Sequence, residues 1–453
     1  MLGRSGLLCL LSLLLVAACT SGEETPAITT PARTVLPSPT PGQAPTVTPP
    51  HPSPTPAVAS PTAAPTAVEA LPSATPVWAG ATDGIFTVPA DGSSPPTKLA
   101  DYGFVAGWSP DGALIAFTMH DPDQTGCGPV APAICFSIIF LVRADGTEEP
   151  TKLADGNAPV WAPATNRLLF YTLTTGEVAT WQGDAYPAIV GRDVYVADLT
   201  SGRTIALARN QSTERVSPGD NHSWSPDGSH VLFGWGQTGT GNLYVVKADG
   251  SEPPLKIADG STFELDWSPD SKHIVYSRGG YIYTAAVDGT EPPRKLAIGH
   301  QPHWSPDGSH IAFIAKTLPT SEIWLLDPET GEASKLVEGW LPFSSPASVW
   351  SPDGSRLMYS AEGSMFAVAI DDTTSPAELA EAPYGTWSPD GTRIAFMKRE
   401  WSEGGPGFAK LFVIDADGGN LTMVADKLLP CFNHAWSPDS QRLAFSSVIC
   451  ALL

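Results

Sequence analysis

The segment Trp108-Ser-Pro-Asp-Gly112 opens a pattern that recurs along most of the chain. Full copies, WSPDG, begin at Trp224, Trp304, Trp350 and Trp387, shorter copies, WSPD, at Trp267 and Trp436, and a decayed copy, WAPA, at Trp161. Successive tryptophans are roughly 40 to 60 residues apart. Periods near 40 residues with unequal insertions indicate propeller blades rather than helical repeat units.

Each unit has the same internal order of strand and turn signals. After Trp304 come the segments SHIAFIA, EIWLLD, PETGE and ASKLV, which indicate three strands separated by Gly, Pro and Asp turns. A further short strand ends at the tryptophan itself. Second strands such as LIAF, at 114–117, are apolar with little alternation, which is typical of strands buried on both faces. The pattern predicts radially packed blades of four antiparallel strands.

The two ends of the chain each supply half a unit. Trp436 is followed by residues for only two strands, whereas GIFTVPADGSSPPTKLA, at 84–100, matches the third and fourth strands of a unit and has no motif of its own. We therefore expect a composite last blade, built from strands at about 85–100 and about 431–450. The fold class is then all-β, an eight-bladed propeller. Seven blades is the alternative, if the unit at Trp161 is an insertion.

The repeat also resembles a known family. WSPDG-x-x-I-A-F, followed by I-Y-x-x-x-x-D-G, is similar to the WD40-like, TolB-type (PD40) propeller repeat of bacterial envelope proteins over roughly residues 78–450. The resemblance implies the propeller and no particular function. TolB has a smaller propeller preceded by an α/β domain; a Pro/Thr-rich segment stands there in this chain, so membership in the Tol system is not implied.

The first 76 residues are predicted to precede the propeller, which would occupy 77–453. Residues 1–19 combine one arginine, the apolar run LLCLLSLLLV and small residues before Cys19, which indicates an export signal. The ending resembles a bacterial lipobox, in which Cys19 is lipidated; an ordinary signal peptide is the alternative. Residues 20–76 are rich in Pro, Thr and Ala and predict a disordered tether. We expect a lipoprotein outside the cytoplasm, at the cell surface or in the periplasm.

Charge and cysteine content narrow the classes of partner and site. The formal net charge of −22 disfavours nucleic acid and anionic membrane surfaces, so the membrane would be contacted through the lipid anchor only. Four further cysteines are an even number in an exported chain and suggest disulfides. They are Cys127, Cys135, Cys431 and Cys450. Proximity favours Cys127–Cys135 and Cys431–Cys450 among the three possible pairings, and no CxxC metal spacing occurs.

The aspartate of the motif has a structural explanation. In Ser-Pro-Asp-Gly, proline fixes φ at the second position of a type I turn and glycine suits the fourth. The aspartate can accept local backbone hydrogen bonds in such a turn. We therefore interpret the repeated carboxylates as turn residues and not as a catalytic set. They are Asp111, Asp227, Asp270, Asp307, Asp353, Asp390 and Asp439.

A different set of polar residues precedes the tryptophans, in the segments expected to become the innermost strands around the channel. The channel candidates are His222, His300, His303, His434 and Asp266. Imidazoles and carboxylates in a channel could bind a metal or a polar ligand. We favour a water-filled lining that satisfies buried backbone groups, and assign neither a metal nor another cofactor.

Signatures of familiar enzymes are missing from the sequence. Gly-x-Ser-x-Gly, His-Glu-x-x-His, P-loop and Gly-x-Gly-x-x-Gly strand–helix patterns do not occur, so no catalysis is assigned. The alternative function is a metal-dependent polysaccharide lyase or hydrolase that uses His222, His303 and His434 in the channel.

The long insertions point to a binding face. They lie at about 119–137, 174–192 and 398–410, between second and third strands, and the last two carry Trp181, Tyr186 and Trp401. Aromatic residues on loops held by a rigid scaffold are typical of recognition sites. An acidic residue also follows the fourth strand in six units: Asp101, Asp155, Asp259, Glu338, Glu381 and Asp426. These residues predict a monomeric binding or scaffold module for an envelope or extracellular protein or glycan.

Overall fold

The computed structural model describes eleven stretches of the chain. They are 83–120, 137–181, 184–209, 222–235, 242–259, 264–316, 321–339, 349–371, 376–400, 407–429 and 433–448, with the backbone alone described at 120, 174–181 and 184–190. The predicted export signal, the tether, Cys19 and the four other cysteines lie outside these stretches. The described residues include no helix long and apolar enough to span a bilayer.

The strands follow one another along the chain with short turns between them. They are β1 (Gly84–Pro89), β2 (Thr97–Ala100), β3 (Phe104–Trp108), β4 (Leu114–His120), β5 (Ser137–Arg143), β6 (Thr151–Asp155), β7 (Asn157–Trp161), β8 (Arg167–Trp181), β9 (Asp184–Asp198), β10 (Arg203–Ala208), β11 (His222–Trp224), β12 (His230–Trp235), β13 (Asn242–Lys247), β14 (Leu255–Asp259), β15 (Leu265–Trp267), β16 (His273–Arg278), β17 (Tyr281–Ala286), β18 (Arg294–Ile298), β19 (His300–Trp304), β20 (Ile311–Lys316), β21 (Glu322–Leu326), β22 (Ala333–Glu338), β23 (Arg356–Ala361), β24 (Ser364–Ala369), β25 (Ala377–Ala380), β26 (Gly385–Trp387), β27 (Arg393–Glu400), β28 (Phe408–Asp415), β29 (Thr422–Leu428), β30 (His434–Trp436) and β31 (Arg442–Ser447).

These strands form eight antiparallel sheets, one for each blade. Successive quartets from β3 to β22 make blades 1 to 5, and β26–β29 make blade 7. In blade 6 the sheet contains β23–β25, and among the described residues its innermost strand is reduced to the bridge between Trp350 and Leu357. The unit at Trp161 is blade 2, so the eight-bladed prediction is confirmed and the seven-bladed alternative is wrong.

Blade 8 is built from both ends of the chain. Its strand order is β2-β1-β31-β30, and β1 pairs with β31 from Gly84↔Ser447 to Pro89↔Arg442. The rings of Phe86 and Phe445 stack across this pair with centroids 5.4 Å apart. The composite closing blade is therefore confirmed, with the chain entering β1 as the third strand of the blade.

Stacked aromatic pairs join the second and third strands of the blades. In blade 1, for example, Phe117 and Phe140 are directly opposite each other with ring centroids 5.6 Å apart, and Phe117 follows the buried Ile115 and Ala116 in β4. Directly opposite residues in an antiparallel pair are close enough for such contacts. The equivalent pairs are Phe170–Tyr195, Phe233–Tyr244, Tyr276–Tyr283, Tyr359–Phe366, Phe396–Phe412 and Phe86–Phe445. The core is thus distributed between neighbouring sheets.

The motif turns have the same hydrogen bonds in every complete copy. In blade 3, Ser225 Oγ donates to Asp227 Oδ1 (2.6 Å), Ser229 N donates to the same oxygen (2.9 Å), and Gly228 N donates to Ser225 O (2.8 Å). Partial burial opposes ionisation of Asp227, but the bonds from Ser225 and Ser229 outweigh it and lower the pKa to about 2. The structure gives these carboxylates a turn-forming role.

In six of the eight blades, the motif tryptophan is hydrogen-bonded to the blade before it. Trp108 Nε1 donates to Ala435 O of blade 8 (3.0 Å), which closes the ring between the last and first blades. The acceptor is the residue that precedes the tryptophan of the previous blade. The same bond joins Trp161 to Gly107, Trp224 to Val160, Trp350 to His303 and Trp436 to Thr386, and Trp267 uses Ser223 Oγ instead. Each such bond gives the indole N–H an acceptor and links the inner strands of two neighbouring blades.

Candidate functional sites

The loop face is the end of the propeller that carries the connections from second to third strands and from each blade to the next. The acidic residues predicted here do follow or end the outermost strands. Five of the six pair with a lysine: Asp101 with Lys98 (2.8 Å), Asp155 with Lys152 (2.6 Å), Asp259 with Lys256 (2.5 Å), Glu338 with Lys335 (2.9 Å) and Glu381 with Lys398 (2.9 Å). The sixth, Asp426, accepts the backbone N–H of Lys427 (2.7 Å).

A bulge in the outer strand explains the recurring ion pair. In β14 the pairing with β13 jumps from Leu243↔Ala258 to Tyr244↔Lys256 and skips Ile257. A bulge re-aims the side chains on either side of it, so Lys256 and Asp259 reach the same edge although they are three residues apart. The hydrogen bond and the charge of Lys256 lower the pKa of Asp259. The acids of the loop face are therefore largely neutralised by neighbouring lysines.

Blade 4 breaks this pattern. Where six of the other blades place an acid, β18 ends in Ile298, whose surface is 68% exposed. Its lysine, Lys295, lies over the ring of Tyr281 with Nζ 3.0 Å from the centroid. This exposed apolar side chain is a candidate contact surface that the sequence analysis did not identify. The segment RKLAIG, which has no acid after the fourth strand, was the sequence feature that could have indicated it.

The insertion expected as a loop at 174–192 is instead a ribbon of two strands, so that expectation was wrong. Strands β8 and β9 have 15 residues each and stay paired as far as Trp181↔Asp184. The insertion is rich in β-branched residues, Thr174, Thr175, Val178 and Thr180 among them, and such residues favour strands. The backbone positions of Trp181 and Tyr186 thus lie on the ribbon.

The outer strands of blade 2 do not accompany this ribbon. β7 pairs with β8 no further than Tyr171, and β10 pairs with β9 no further than Val194. Among the described pairings, the ribbon beyond these residues, 172–181 with 184–193, has no third strand. At about 3.3 Å per residue it extends roughly 30 Å from the blade.

Blade 7 extends its central hairpin in the same direction. β27 and β28 remain paired up to Glu400↔Phe408, and Trp401 follows outside the described residues. Phe408 is 43% exposed, and Tyr384, just before β26, is 51% exposed. Both lie at the loop face and both were missed by sequence reasoning, since each stands in a short polar or glycine-rich segment without a periodic signal.

Trp235, at the start of another insertion, is a packing residue. Its Nε1 donates to Arg192 O (3.3 Å), and its ring meets Phe233 and Tyr244 edge to face. Its contacts therefore lie within the junction of blades 2 and 3.

In the channel, two of the predicted histidines bridge neighbouring blades. His222 Nε2 lies 2.6 Å from Ala158 O of blade 2, and its ring meets Tyr171 edge to face. His434 Nε2 lies 2.9 Å from Thr386 Oγ1 of blade 7, and burial lowers its pKa to about 4. These contacts support the interpretation that such histidines satisfy polar groups between inner strands.

Asp266 performs a similar task with a buried carboxyl group. Its Oδ1 accepts the N–H of Trp267 (2.8 Å) and its Oδ2 accepts the N–H of Trp304 in blade 5 (2.9 Å). Burial raises the pKa of Asp266 to about 7, against the effect of both hydrogen bonds. Asp266 therefore links the inner strands of blades 4 and 5.

Glu264 makes a second link at the same junction. Its Oε2 accepts hydrogen bonds from Ser277 Oγ and from the backbone N–H of Gln301 (3.0 Å). His300 Nδ1 lies 4.0 Å from Oε1 of the same carboxylate. His303, one step further along β19, is neutral near pH 7, because burial lowers its pKa to about 4.

The proposed metal ligands of the channel are not brought together. His222, His303 and His434 belong to blades 3, 5 and 8. Within the described residues no group of three His, Cys, Asp or Glu side chains could hold a metal ion. The alternative of a channel metalloenzyme thus gains no support from this part of the chain.

Comparison with known proteins agrees with the repeat. Residues 191–371 match the family model described as the TolB beta propeller domain, in agreement with the repeat motif in that part of the chain. A curated relative, the uncharacterized peptidase YuxL of Bacillus subtilis, is 25% identical over 155 residues, which is 32% of this chain and 21% of that protein. The chain thus covers only a small part of that relative.

Solved structures are similar at the level of the fold alone. TolB from Acinetobacter baumannii is 16% identical, with a TM-score of 0.37, over 74% of this chain and 64% of that one. An oligogalacturonate lyase in complex with manganese is 14% identical, with a TM-score of 0.43, over 82% of this chain and all of the other.

Proposed function

We propose that this TolB-type propeller is a lipid-anchored, extracytoplasmic binding module that holds a partner protein on its loop face. The ribbon of blade 2 carries the proposal. A two-stranded ribbon is marginally stable alone in water, and its edges, with which no other described strand pairs, offer backbone donors and acceptors to another chain. Strand addition along such an edge is a recurring mode of peptide recognition.

Exposed apolar side chains support a protein partner at the same face. Ile298, Tyr384 and Phe408 are each more than 40% exposed there. Aromatic residues contribute much of the contact energy in protein interfaces. Trp181, Tyr186 and Trp401 extend the set of candidates at this face.

Charge plays a smaller part in this proposal than the sequence suggested. Five of the six acids of the loop face are engaged by lysines within 2.9 Å. Exposed ion pairs of this kind contribute about 0–1 kcal/mol each and are screened by salt. We therefore expect a partner that uses backbone and apolar contacts rather than a basic patch.

Shortening the ribbon tests the proposal. Joining Thr174 to Gly191, which face each other across the ribbon, with an Asn-Gly turn keeps blade 2 closed and removes Trp181 and Tyr186. A photoreactive residue at Phe408 should crosslink to one defined protein in intact cells of the native host, and the shortened chain should lose that adduct. The same residue at Ser309, on the motif turn of the opposite face, is the control.

Three results would contradict the proposal. Equal crosslinking from Phe408 and Ser309 would show that the loop face is not selective. A loss of propeller stability in the shortened chain would mean that the ribbon serves folding, and retention of cell-wall glycan without any protein adduct would assign the face to a glycan instead.

A further inference from the structure

Three side chains at the loop-face end of blade 4 lie in one row across its sheet. Arg278 of β16 is directly opposite Tyr281 of β17, and Tyr281 is directly opposite Ile298 of β18. Directly opposite residues of antiparallel strands lie on the same face of the sheet. Two residues further along β16 and β17, and therefore on this face too, Tyr276 and Tyr283 stack with ring centroids 5.5 Å apart and pack against blade 3.

Lys295 adds a second cation to this row. It is directly opposite Tyr283, and its Nζ lies 3.0 Å from the centroid of the Tyr281 ring. Among the residues that the structure describes, neither Lys295 nor Arg278 has an ion-pair partner. Two cations without acids therefore stand beside a tyrosine and the exposed Ile298.

The neighbouring blades carry the same row with a different end. In blade 5 the row ends in Glu338, which pairs with Lys335 (2.9 Å), and in blade 3 it ends in Asp259, which pairs with Lys256 (2.5 Å). The backbone therefore accepts an acid at this position. In blade 4 the acid is replaced by Ile298, and the lysine is left to contact the tyrosine ring.

The combination matters more than any one of these side chains. A single exposed isoleucine is common on protein surfaces and by itself indicates no contact. An aliphatic group and an aromatic ring flanked by two cations are instead complementary to a ligand with both an apolar and an anionic part.

The row can be reached from solvent at the loop face. Gly279 and Gly280 alone connect β16 to β17, both at positive φ, 58° and 80°, as a two-residue hairpin turn requires. A Cβ atom added to either glycine would meet nothing within 4 Å. Blade 4 thus ends just beyond Arg278 and Tyr281, whereas the hairpins of blades 2 and 7 extend further.

The chemistry of the row favours a peptide segment over a membrane surface. Guanidinium and ammonium groups only donate hydrogen bonds, and both bind carboxylates well. Recognition of anionic lipids generally uses clusters of four to eight basic residues, and the net charge of −22 opposes approach to an anionic bilayer. Two cations beside an apolar group suffice for one carboxylate in a peptide.

We propose that Arg278, Tyr281, Lys295 and Ile298, the blade 4 row, bind a segment of the partner protein in which an acidic residue stands beside a large apolar residue. Ile298 and the Tyr281 ring contact the apolar side chain, and Arg278 and Lys295 hold the carboxylate. This inference rests on the proposed binding role of the loop face and adds the chemistry of the partner.

The test uses the full-length chain and three capped peptides. The acidic probe is acetyl-Gly-Glu-Leu-Phe-Glu-Gly-amide, and the other two carry Gln or Lys in place of both Glu residues. Saturation-transfer NMR should show binding of the acidic probe, about three- to tenfold weaker binding of the Gln probe, and none of the Lys probe. High salt should reduce the difference between the acidic and Gln probes. The methyl resonance of Ile298 should shift with the acidic probe, which locates the contact.

Four variants separate the parts of the site. Ile298→Asp gives blade 4 the acid that six other blades have, so the melting temperature should be kept while affinity for the acidic probe falls at least about tenfold. Lys295→Gln and Arg278→Gln should each weaken the acidic probe about threefold and leave the Gln probe unchanged. Leu255→Asp changes another exposed aliphatic residue of an outer strand, at the motif-turn end of blade 3, and should bind as the parent does.

Several results would overturn the blade 4 row as a peptide site. They are no binding of the acidic probe, equal binding of the acidic and Gln probes, and unchanged binding in Ile298→Asp. Vesicles of phosphatidylglycerol that bind the parent but not Ile298→Asp would assign the row to a membrane. A dimer in analytical ultracentrifugation that Ile298→Asp abolishes would assign it to a second copy of the chain.

The photoreactive residue at Phe408 distinguishes this inference from the proposed function. A protein adduct that forms equally in Ile298→Asp would retain the function of the loop face and overturn the role of the blade 4 row. Binding of the acidic probe at Ile298 without any protein adduct from Phe408 would retain the peptide site and contradict the proposed function.

Discussion

Two junctions link the inner strands of neighbouring blades with different hydrogen bonds. One lies between blades 8 and 1 and the other between blades 4 and 5. At the first, Trp108 donates its indole N–H to the backbone of Ala435 (3.0 Å). At the second, the buried carboxyl of Asp266 accepts the backbone N–H of Trp304 (2.9 Å), and the indole is left without a partner. One junction uses a bond that the repeat supplies, whereas the other depends on side chains particular to blade 4.

The comparison separates a hydrogen bond that most blades share from contacts that occur in one blade only. Six motif tryptophans bond to the preceding blade. The two remaining ones are Trp304 and Trp387, and the latter follows blade 6, whose inner strand is reduced among the described residues. The two departures from the common bond therefore lie at the junction of blades 4 and 5 and at the junction of blades 6 and 7.

The largest effect is expected from removing the substitute link. Asp266→Ala deprives the buried N–H groups of Trp267 and Trp304 of their acceptors, and each loss costs about 1–3 kcal/mol. We expect the free energy of unfolding in denaturant to fall by about 2–5 kcal/mol. Asp227→Ala, in a motif turn, is the comparison and should cost about 1 kcal/mol, as loss of a local capping carboxylate does. Equal costs for the two variants would contradict the role given to Asp266.

The same carboxyl should make stability depend on pH. Its pKa is raised to about 7 in the folded chain, so folding binds a proton that the unfolded chain releases near pH 4. Its contribution is complete below about pH 4 and is lost as the pH rises through 7, at up to about 1.4 kcal/mol per pH unit.

Chemical unfolding between pH 4 and 8 measures this slope. Glu264, His300 and His303 are the neighbouring titratable groups, and Asp266→Asn leaves them in place while removing the titration. The parent should lose stability relative to Asp266→Asn as the pH rises. Parallel curves for the two proteins would show that another group titrates.

An intermediate loss of stability is expected when a motif tryptophan is replaced, and its size should depend on whether the indole N–H has an acceptor in the preceding blade. Trp224→Phe removes the donor to Val160 O (3.0 Å), at a cost of about 0.5–1.5 kcal/mol beyond the lost ring area. Trp304→Phe removes an N–H that has no protein partner. Denaturant unfolding of both variants should therefore show the smaller loss at Trp304, and the reverse order would contradict the comparison of junctions.

The smallest effect is expected at the loop face. Lys256→Gln breaks the exposed pair with Asp259 and should change the free energy of unfolding by less than about 1 kcal/mol, with the difference vanishing in high salt. Melting curves at low and high salt test this. A large, salt-independent loss would mean that the rim pairs are structural.

Much of the fold could be predicted because the motif fixes it locally. Ser225 and Asp227 form their turn with neighbours in sequence, and the spacing of such turns counts the blades. The division of one blade between the two ends of the chain was also predictable, because each end lacked the two strands that the other supplied.

The candidate sites were less accessible to sequence reasoning. The links from Asp266 to Trp304 and from Glu264 to Gln301 join residues that approach each other only when neighbouring blades pack. The ribbon at Trp181 was taken for a loop because its two bulges disturb the alternation expected of strands. The polar residues of β19 stand out only when that strand is compared with β7, which has the same backbone geometry but apolar residues at the equivalent positions.

The composite blade has a mechanical consequence. Gly84 begins a strand that is hydrogen-bonded on both sides, to β31 and to β2. Tension on the chain that precedes Gly84 therefore reaches two ladders at once, one of them formed with the strand near the other end of the sequence. Under force, detaching that segment and opening the ring are a single event.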